Sequence, residues 1–436
     1  MATVVPAEPG ARRRQSAGDE STDCSPDDAA ARWSVVEYRG RQALELLEAD
    51  WRRLYLAMPL RTAFHAYEAH AAYLDDLMAA PERLRCLVLS DGLGARLICP
   101  LEARTDRLLG LPIRIWGVPW HPHWPLADVV CPEDEARQAF LPALVAFLRS
   151  RPEGRPLVVL GPLPGSSVLW NGLRRLEPRE YCAHTAMDHF VIDCEKPFDE
   201  LMSRLSRHFR KELRRCGRRL ASLEDVRFET ACSDADLELL FEDFLAVEGS
   251  GWKGESGTGS AIRLHPRYAS FYRSLARELG DGDGCEINAL YAEGRCIAGE
   301  LSMRTGQQYA TLKIGYDERY ARLSPGQLLC ARTLERCCAD PQISHFDQLS
   351  DAAWLHVWHA DSVPLQQVHI AIGRWSGPVL VALLQLRFGY GRRAVRWIRR
   401  TVRRHTQQAP RVLAGRWLAW SAERAGRIAA GRKRGA

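Results

Sequence analysis

The chain has 436 residues, with 60 Lys or Arg against 54 Asp or Glu and a formal charge of +6. That length exceeds one ordinary core and suits two domains plus tails. A hydrophobic share of 46% excludes a wholly disordered chain, and no apolar run reaches the ~18 residues that span a bilayer. The charge is uneven. From Gly391 to Ala436 there are 14 Arg or Lys against the single acid Glu423, a local +13, so the rest of the chain carries −7.

The 13 cysteines include no CxxC pair and no Cys/His grouping with zinc-ligand spacing. They read as reduced core residues of a cytoplasmic protein, with no metal. Residues 1–32 are rich in Arg, Asp, Pro and Ala without an apolar stretch, the composition of a disordered terminus and not of a signal peptide.

The first ordered element is a strand at Trp33 to Tyr38, then a helix at Gln42 to Ala57. Strands at Leu84 to Leu89 and Ala95 to Leu101 flank Ser90-Asp-Gly-Leu-Gly94, which has hairpin chemistry. A strand at Ile113 to Trp116, a helix at Glu133 to Leu148, a buried strand at Leu157 to Leu160 ending at Gly161-Pro162, and a helix at Val168 to Leu176 follow. A linker is expected near Ala183 to Pro197.

The second half begins with one long helix, Phe198 to Leu220, its apolar residues recurring at three- and four-residue steps. A strand at Val226 to Thr230 precedes helices at Ala235 to Val247 and Pro266 to Leu279. Strands follow at Glu286 to Tyr291, Cys296 to Met303 and Gln308 to Tyr316, then a helix at Gly326 to Cys338 and strands at His345 to Leu349 and Leu365 to Ile372. An internal echo relates Leu87 to Thr105 with Ala289 to Thr305. Each is a strand, an acidic-Gly turn and a strand ending in Arg-Thr, about 200 residues apart. The fold class is therefore a mixed α/β sheet in two tandem copies. The spans are 33–185, 186–375 and a basic tail at 376–436.

In that tail Gly391 to Arg404 places Val395, Ile398 and Val402 on one helical side and arginines on most of the rest. Trp417 and Trp420 repeat the theme. This is the pattern of a segment lying on an anionic membrane surface, peripheral on the inner face of the cytoplasmic membrane, with nucleic-acid binding or a disordered basic tail as the rival readings.

The stretch Tyr309 to Leu329 carries the clearest chemistry. A strand runs into a polar loop that reaches Ser324-Pro-Gly326 and opens a helix, with Ser324 placed as N-cap and Pro325 at the first helical position. A helix start offers free N–H groups and partial positive charge to a pyrophosphate, and Gly326 admits a phosphate near the backbone. Pro325 supplies no N–H. Trp252-Lys253-Gly254 lies in a Gly/Ser-rich loop suited to border a site, with Trp252 to stack and Lys253 to meet an anion. The run Arg207-His-Phe-Arg-Lys-Glu-Leu-Arg-Arg215 forms a basic helix face fit for phosphates, with a solvated face as the plain alternative. His121-Pro-His-Trp-Pro125 lacks partners with ligand spacing and reads as a rigid aromatic loop.

Taken in order, Arg207 to Arg215, Glu248 to Gly254, Leu312-Lys-Ile-Gly-Tyr-Asp317 and Ser324 to Gly326 resemble the GNAT acyltransferases, and more closely the branch linked to cellulose and exopolysaccharide biosynthesis. The resemblance covers about Phe198 to Ile372. The first half resembles a degenerate second copy, as in the tandem Fem-type peptidyl transferases. The resemblance implies acyl transfer from acetyl-CoA or another acyl-CoA to an amine or hydroxyl of a small-molecule or glycan acceptor. Nucleic acid enters only if the donor is an aminoacyl-tRNA, as for Fem-type enzymes. Ile314, Gly315, Ser324, Gly326 and Gln327 would hold the cofactor. Trp252, Lys253, Lys313, Arg207 and Asp347 would meet the substrate. Glu248, Glu300, His356 and Asp347 are candidates for the base, and Tyr316 for protonating the leaving thiolate. That branch tends to carry a Lys after the strand that follows the Ser-Pro-Gly helix; here Asp347-Gln-Leu-Ser-Asp-Ala-Ala-Trp-Leu-His356 stands there instead, which motivates the remaining alternative, a non-catalytic membrane-recruited scaffold.

Overall fold

The structure is a computed structural model. It describes residues 3–4 and 33–390 apart from Glu133, Pro152, Val168, Ser233 and residues 280–283. The chain forms two compact units, Met1–Val381 and Ala382–Ala436. Of the second, the end of one helix and a π-helical turn at Leu386–Tyr390 are described. The expected amphipathic segment from Gly391 and the tail tryptophans lie outside the described residues, as does most of the expected disordered N-terminus. Among the described residues no helix is long and apolar enough to cross a membrane.

The first half contains β1 (Thr3–Val4), β2 (Ser34–Arg39), α1 (Arg41–Ala57), α2 (Tyr67–Ala72), β3 (Leu84–Ser90), β4 (Ala95–Leu108), β5 (Leu111–Gly117), α3 (Asp134–Arg149), β6 (Leu157–Leu163), α4 (Leu169–Leu173) and β7 (Tyr181–Asp193). The second contains α5 (Phe198–Arg204), α6 (Arg207–Leu220), β8 (Arg227–Ala231), α7 (Asp234–Glu248), α8 (Pro266–Glu278), β9 (Gly284–Ala292), β10 (Arg295–Thr305), β11 (Gln308–Tyr316), α9 (Pro325–Ala339), β12 (His345–Asp347), β13 (Asp361–Ala371) and α10 (Ser376–Gln385).

All strands join one sheet in the order β1-β2-β3-β4-β5-β6-β13-β7-β12-β11-β10-β9-β8. From β2 to β6 the pairings run antiparallel, antiparallel, antiparallel, parallel. From β8 to β12 they run the same way. The hairpins β3–β4 and β9–β10, related in the sequence, occupy equivalent places. The last strand of each half is exchanged: β7 pairs with β12, and β13 pairs with β6. The two exchanged strands also pair with each other.

Three expectations are corrected. The linker near Ala183 to Pro197 is for most of its length β7, a central strand bonded on both edges. Its mixed polar and apolar residues suit a strand whose faces are unequally buried, which composition alone reads as a connection. The single helix Phe198 to Leu220 is two, because Leu205 is extended and the Ser206 hydroxyl accepts the Phe209 N–H at 3.1 Å. A serine oxygen that caps a new helix start competes with continuing the old one. The strand expected to stop at Gly161-Pro162 continues to Leu163, every residue buried, because β13 supplies a partner across the break.

The core follows the patterning. On α1 the buried residues Leu44, Leu47, Trp51 and Leu54 recur at helical spacing. Trp124 is buried against Phe64, His70 and Tyr73, with ring centroids 4.9 to 5.1 Å away. Such edge-on aromatic contacts contribute ~1 kcal/mol each beyond the buried area. They fix the loop at residues 120–124 to the first half, and Phe271 of α8 lies against the same Trp124 ring at 6.3 Å.

Candidate functional site

β11 pairs with β12 only at its start, where Gln308, Tyr309 and Ala310 face His345, Phe346 and Asp347 in parallel register. β11 then runs on to Tyr316 while β12 ends, so the strands part and the edge from Thr311 onward opens into a gap. The opposite edge stays paired with β10, but its register steps from Leu301↔Lys313 to Ser302↔Thr311. Leu312 is therefore bulged out, and the strand turns locally, as bulges beside sites do. The gap is a cleft of about 540 Å³.

The bulge sorts β11 onto two faces. On one, Gly315 lies so close to α7 that a Cβ there would sit 2.5 Å from the Glu248 Cα. Lys313 shares this face, its ammonium 5.9 Å from the Tyr272 ring centre on α8. On the other, a Cβ at Gly326 of α9 would meet Tyr316 at 3.7 Å and Ile314 at 3.9 Å, ordinary contact. The cleft thus passes through the sheet, from the α9 side to the α7/α8 side.

At the α9 start, Ser324 does not cap with its side chain as expected. It takes a left-handed conformation at φ 50°, and its carbonyl accepts the Gln327 and Leu328 N–H groups at 3.0 and 3.1 Å. Gly326 stands at the second helical position, where an N–H has no intrahelical acceptor, and with Ser324 and Gln327 it lines the cleft. The Gln327 side chain is held by the Trp358 indole N–H at 2.7 Å.

On the α7/α8 side, Glu248 is 3% exposed. One carboxylate oxygen accepts the Ile262 N–H at 2.9 Å and the other lies 3.1 Å from the Lys253 ammonium. Lys253 also donates to the Ile314 carbonyl at 2.8 Å, tying the Gly/Ser-rich loop to β11. Trp252 beside it is more than half exposed, and its backbone N–H reaches Glu318 at 3.2 Å. Burial and the neighbouring Lys253 push the Lys313 ammonium down to about 8.

Of the residues singled out in the sequence, Glu248, Trp252, Lys253, Lys313, Ile314, Gly315, Tyr316, Ser324, Gly326 and Gln327 all line this cleft. Four do not. Glu300 is fully buried on the α9 face of β10. It accepts from Ser302 at 2.8 Å, Thr311 at 2.9 Å and Thr333 at 3.5 Å, and burial raises its pKa. Asp347 is buried at the β12–β7 junction. It is bonded by His189 and Gln308 at 2.9 Å and by the Leu349 N–H at 2.8 Å, so its lone pairs serve the fold. His356 is exposed on the short helix Ala353–Trp358 and packs edge-on to Phe190. Arg207 is exposed at the start of α6.

Sequence reasoning missed Thr311 and the far wall, Gln348, Ser350 and Trp354, which face the cleft. The segment 347–356 drew notice for the lysine it lacks, not for what it supplies. It also set aside His121 and His123. Their rings stack 5.3 Å apart, and His123 is bonded to the Tyr272 hydroxyl at 2.8 Å, on the same face as Lys313.

Residues 207–354 match the family model described as "Acetyltransferase (GNAT) domain". No curated protein matches the chain. Among solved structures, the chain is similar to FemX at 11% identity and TM-score 0.49, covering 74% of this chain and 95% of that one. It is similar to a tandem GNAT protein from the clavulanic acid biosynthesis pathway at 12% identity and TM-score 0.42, covering 78% and 99%. It is also similar to L-PGS from Bacillus licheniformis at 13% identity and TM-score 0.42, covering 73% and 96%. The matched span runs from α6 past β12 and so contains α9 and the strands that part around the cleft. This chain carries a GNAT-type acetyltransferase domain, and the protein is an acyltransferase.

Proposed function

We propose that the protein transfers an acyl group from acetyl-CoA or a related acyl-CoA to an amine or hydroxyl of a sugar, polysaccharide precursor or lipid-linked glycan. One observation carries this reading: the parting of β11 from β12 beside the start of α9. It places an open strand edge, which can hold an extended pantetheine arm, next to helix N–H groups that suit a pyrophosphate. The thioester then lies in the gap, reached by the acceptor from the α7/α8 side.

The chemistry needs two proton movements. The attacking atom loses a proton as it bonds to the carbonyl carbon, and the sulfur gains one as the C–S bond breaks. Tyr316 stands at the end of β11 on the α9 face, 39% exposed, where its hydroxyl can protonate the sulfur. Trp252 offers an exposed ring for a sugar face.

A second donor, an aminoacyl-tRNA, draws on the α6 face, where Arg207, Lys211, Arg214, Arg218 and Arg219 are exposed. The peripheral membrane location rests on the basic tail and on Trp375 and Val379, 78% and 59% exposed.

Titration calorimetry with acetyl-CoA tests the donor. The wild-type protein binds with a Kd in the micromolar range, and Gly326→Trp weakens binding at least tenfold without lowering Tm, because a Cβ there meets only ordinary contacts and the ring fills the cleft. No binding by the wild type, with retention of charged tRNA on a filter, would transfer the assignment to the second donor.

A further inference from the structure

Lys313 is a cation without an acid. Among the described residues no carboxylate lies within ion-pair distance of its ammonium. Glu248, the acid on the same face, is already engaged by Lys253 and the Ile262 N–H. The elements around Lys313 offer Lys253 from the Gly/Ser-rich loop, Tyr268 and Tyr272 from α8, His265 and Arg267 beside them, and His121 and His123 from the first half. Burial first, and Lys313 second, push His121 and His123 down to about 4 and about 3, so both are neutral near pH 7. Apart from Glu248, this wall holds neutral rings and other cations. A partly buried lysine in such a setting gives up its proton easily.

Its position is as telling as its surroundings. Lys313 lines the cleft on the α7/α8 face, whereas Tyr316, three residues on, lies on the α9 face. The attacking atom comes over one face of the carbonyl while the sulfur lies in the carbonyl plane, so base and acid act from different directions, and these two side chains occupy opposite sides of the strand that runs beside the cleft.

We propose that Lys313, as the neutral amine, is the base that deprotonates the acceptor, which reaches it along the wall made by α8 and the loop at residues 120–124. This rests on the acyl-thioester reading of the cleft. The lysine nitrogen takes the proton from the acceptor N–H or O–H as the new C–N or C–O bond forms. The C–S bond breaks, the thiolate takes a proton from Tyr316, which regains one from water, and the lysine ammonium returns its proton to water. No oxidant or further reactant is needed.

Two measurements on the full chain test this. The first is labelling with acetic anhydride between pH 6 and 10, with modification of Lys313 followed by mass spectrometry. The expected midpoint is near pH 8, against about 10.4 for an ordinary lysine. The second is thiol release from acetyl-CoA, with water alone and with glucosamine as acceptor. The wild-type rate rises with pH through about 8. Lys313→Arg keeps the charge but cannot act as base, and Lys313→Met keeps the length. Both lower the rate roughly 100-fold or more and remove the pH inflection, while calorimetry shows an unchanged Kd for acetyl-CoA. A labelling midpoint near 10, or Lys313→Arg at the wild-type rate with its inflection, overturns the proposal. Failure of the wild type to bind acetyl-CoA strikes the donor assignment instead, and the labelling midpoint still decides against or for Lys313.

Discussion

Glu248, Glu300 and Asp347 read alike in the sequence, as carboxylates in or beside apolar elements near a loop that suits a phosphate. The fold gives each a separate task. Glu248 anchors the Lys253 loop at the edge of the cleft. Glu300 collects three hydroxyls behind β11, where the bulge at Leu312 brings Thr311 round to the α9 face. Asp347 locks β12 to β7 through His189. Sequence spacing placed all three near the site but could not say which way each side chain turns, since a one-residue bulge reverses the face. For Asp347 the consequence is measurable. Asp347→Ala leaves the His189 ring, a buried N–H and the Gln308 amide without their acceptor, and costs about 2–4 kcal/mol. Thermal unfolding shows a lower Tm with an acetyl-CoA Kd within about threefold of wild type, the scatter expected where only distant packing changes. A Kd weakened tenfold at unchanged Tm would return Asp347 to a direct role in binding.

Elements are set here by close approach as much as by propensity. β11 was legible from Gln308 to Tyr316 because Tyr, Thr, Leu and Ile there favour a strand after the Gly306 turn, and α9 was legible from Ser-Pro-Gly. The parting of β11 from β12 was not, because it depends on where a three-residue strand stops. Nor was the contact between β11 and α7, which requires glycine at 315 because the Glu248 backbone fills the space a side chain would take. That contact bounds the cleft on the α7/α8 side. Gly315→Ala must push the end of α7 away, since the obstruction is backbone. It lowers stability by ~1–3 kcal/mol and, by displacing Glu248 and with it Lys253, weakens acetyl-CoA binding. Thermal melts and calorimetry on this variant report both effects; unchanged values in both would show that α7 does not define the cleft wall.

At the scale of the whole sheet, the repeat was visible as the echo between the two hairpins, but the exchange of final strands was not. β7 lies 152 residues from β12 along the chain at their closest pairing, Asp193 with His345, and carries no signal of its partner, so its polar–apolar mixture read as a linker. The two halves also meet beside Lys313, where the loop at residues 120–124 packs on α8 and His123 is bonded to the Tyr272 hydroxyl at 2.8 Å. The halves also differ where it counts. β5 pairs with β6 at its end, through Ile115, Trp116 and Gly117, whereas β11 pairs with β12 at its start and then opens. The donor is therefore expected in the second half only. Hydrogen exchange followed by mass spectrometry, with and without saturating acetyl-CoA, tests this most directly. The account predicts slowed exchange in peptides covering Thr311 to Tyr316 and Ser324 to Leu328, with β5 and β6 unchanged. Protection absent from those two segments, or appearing at β5 and β6 instead, would contradict it.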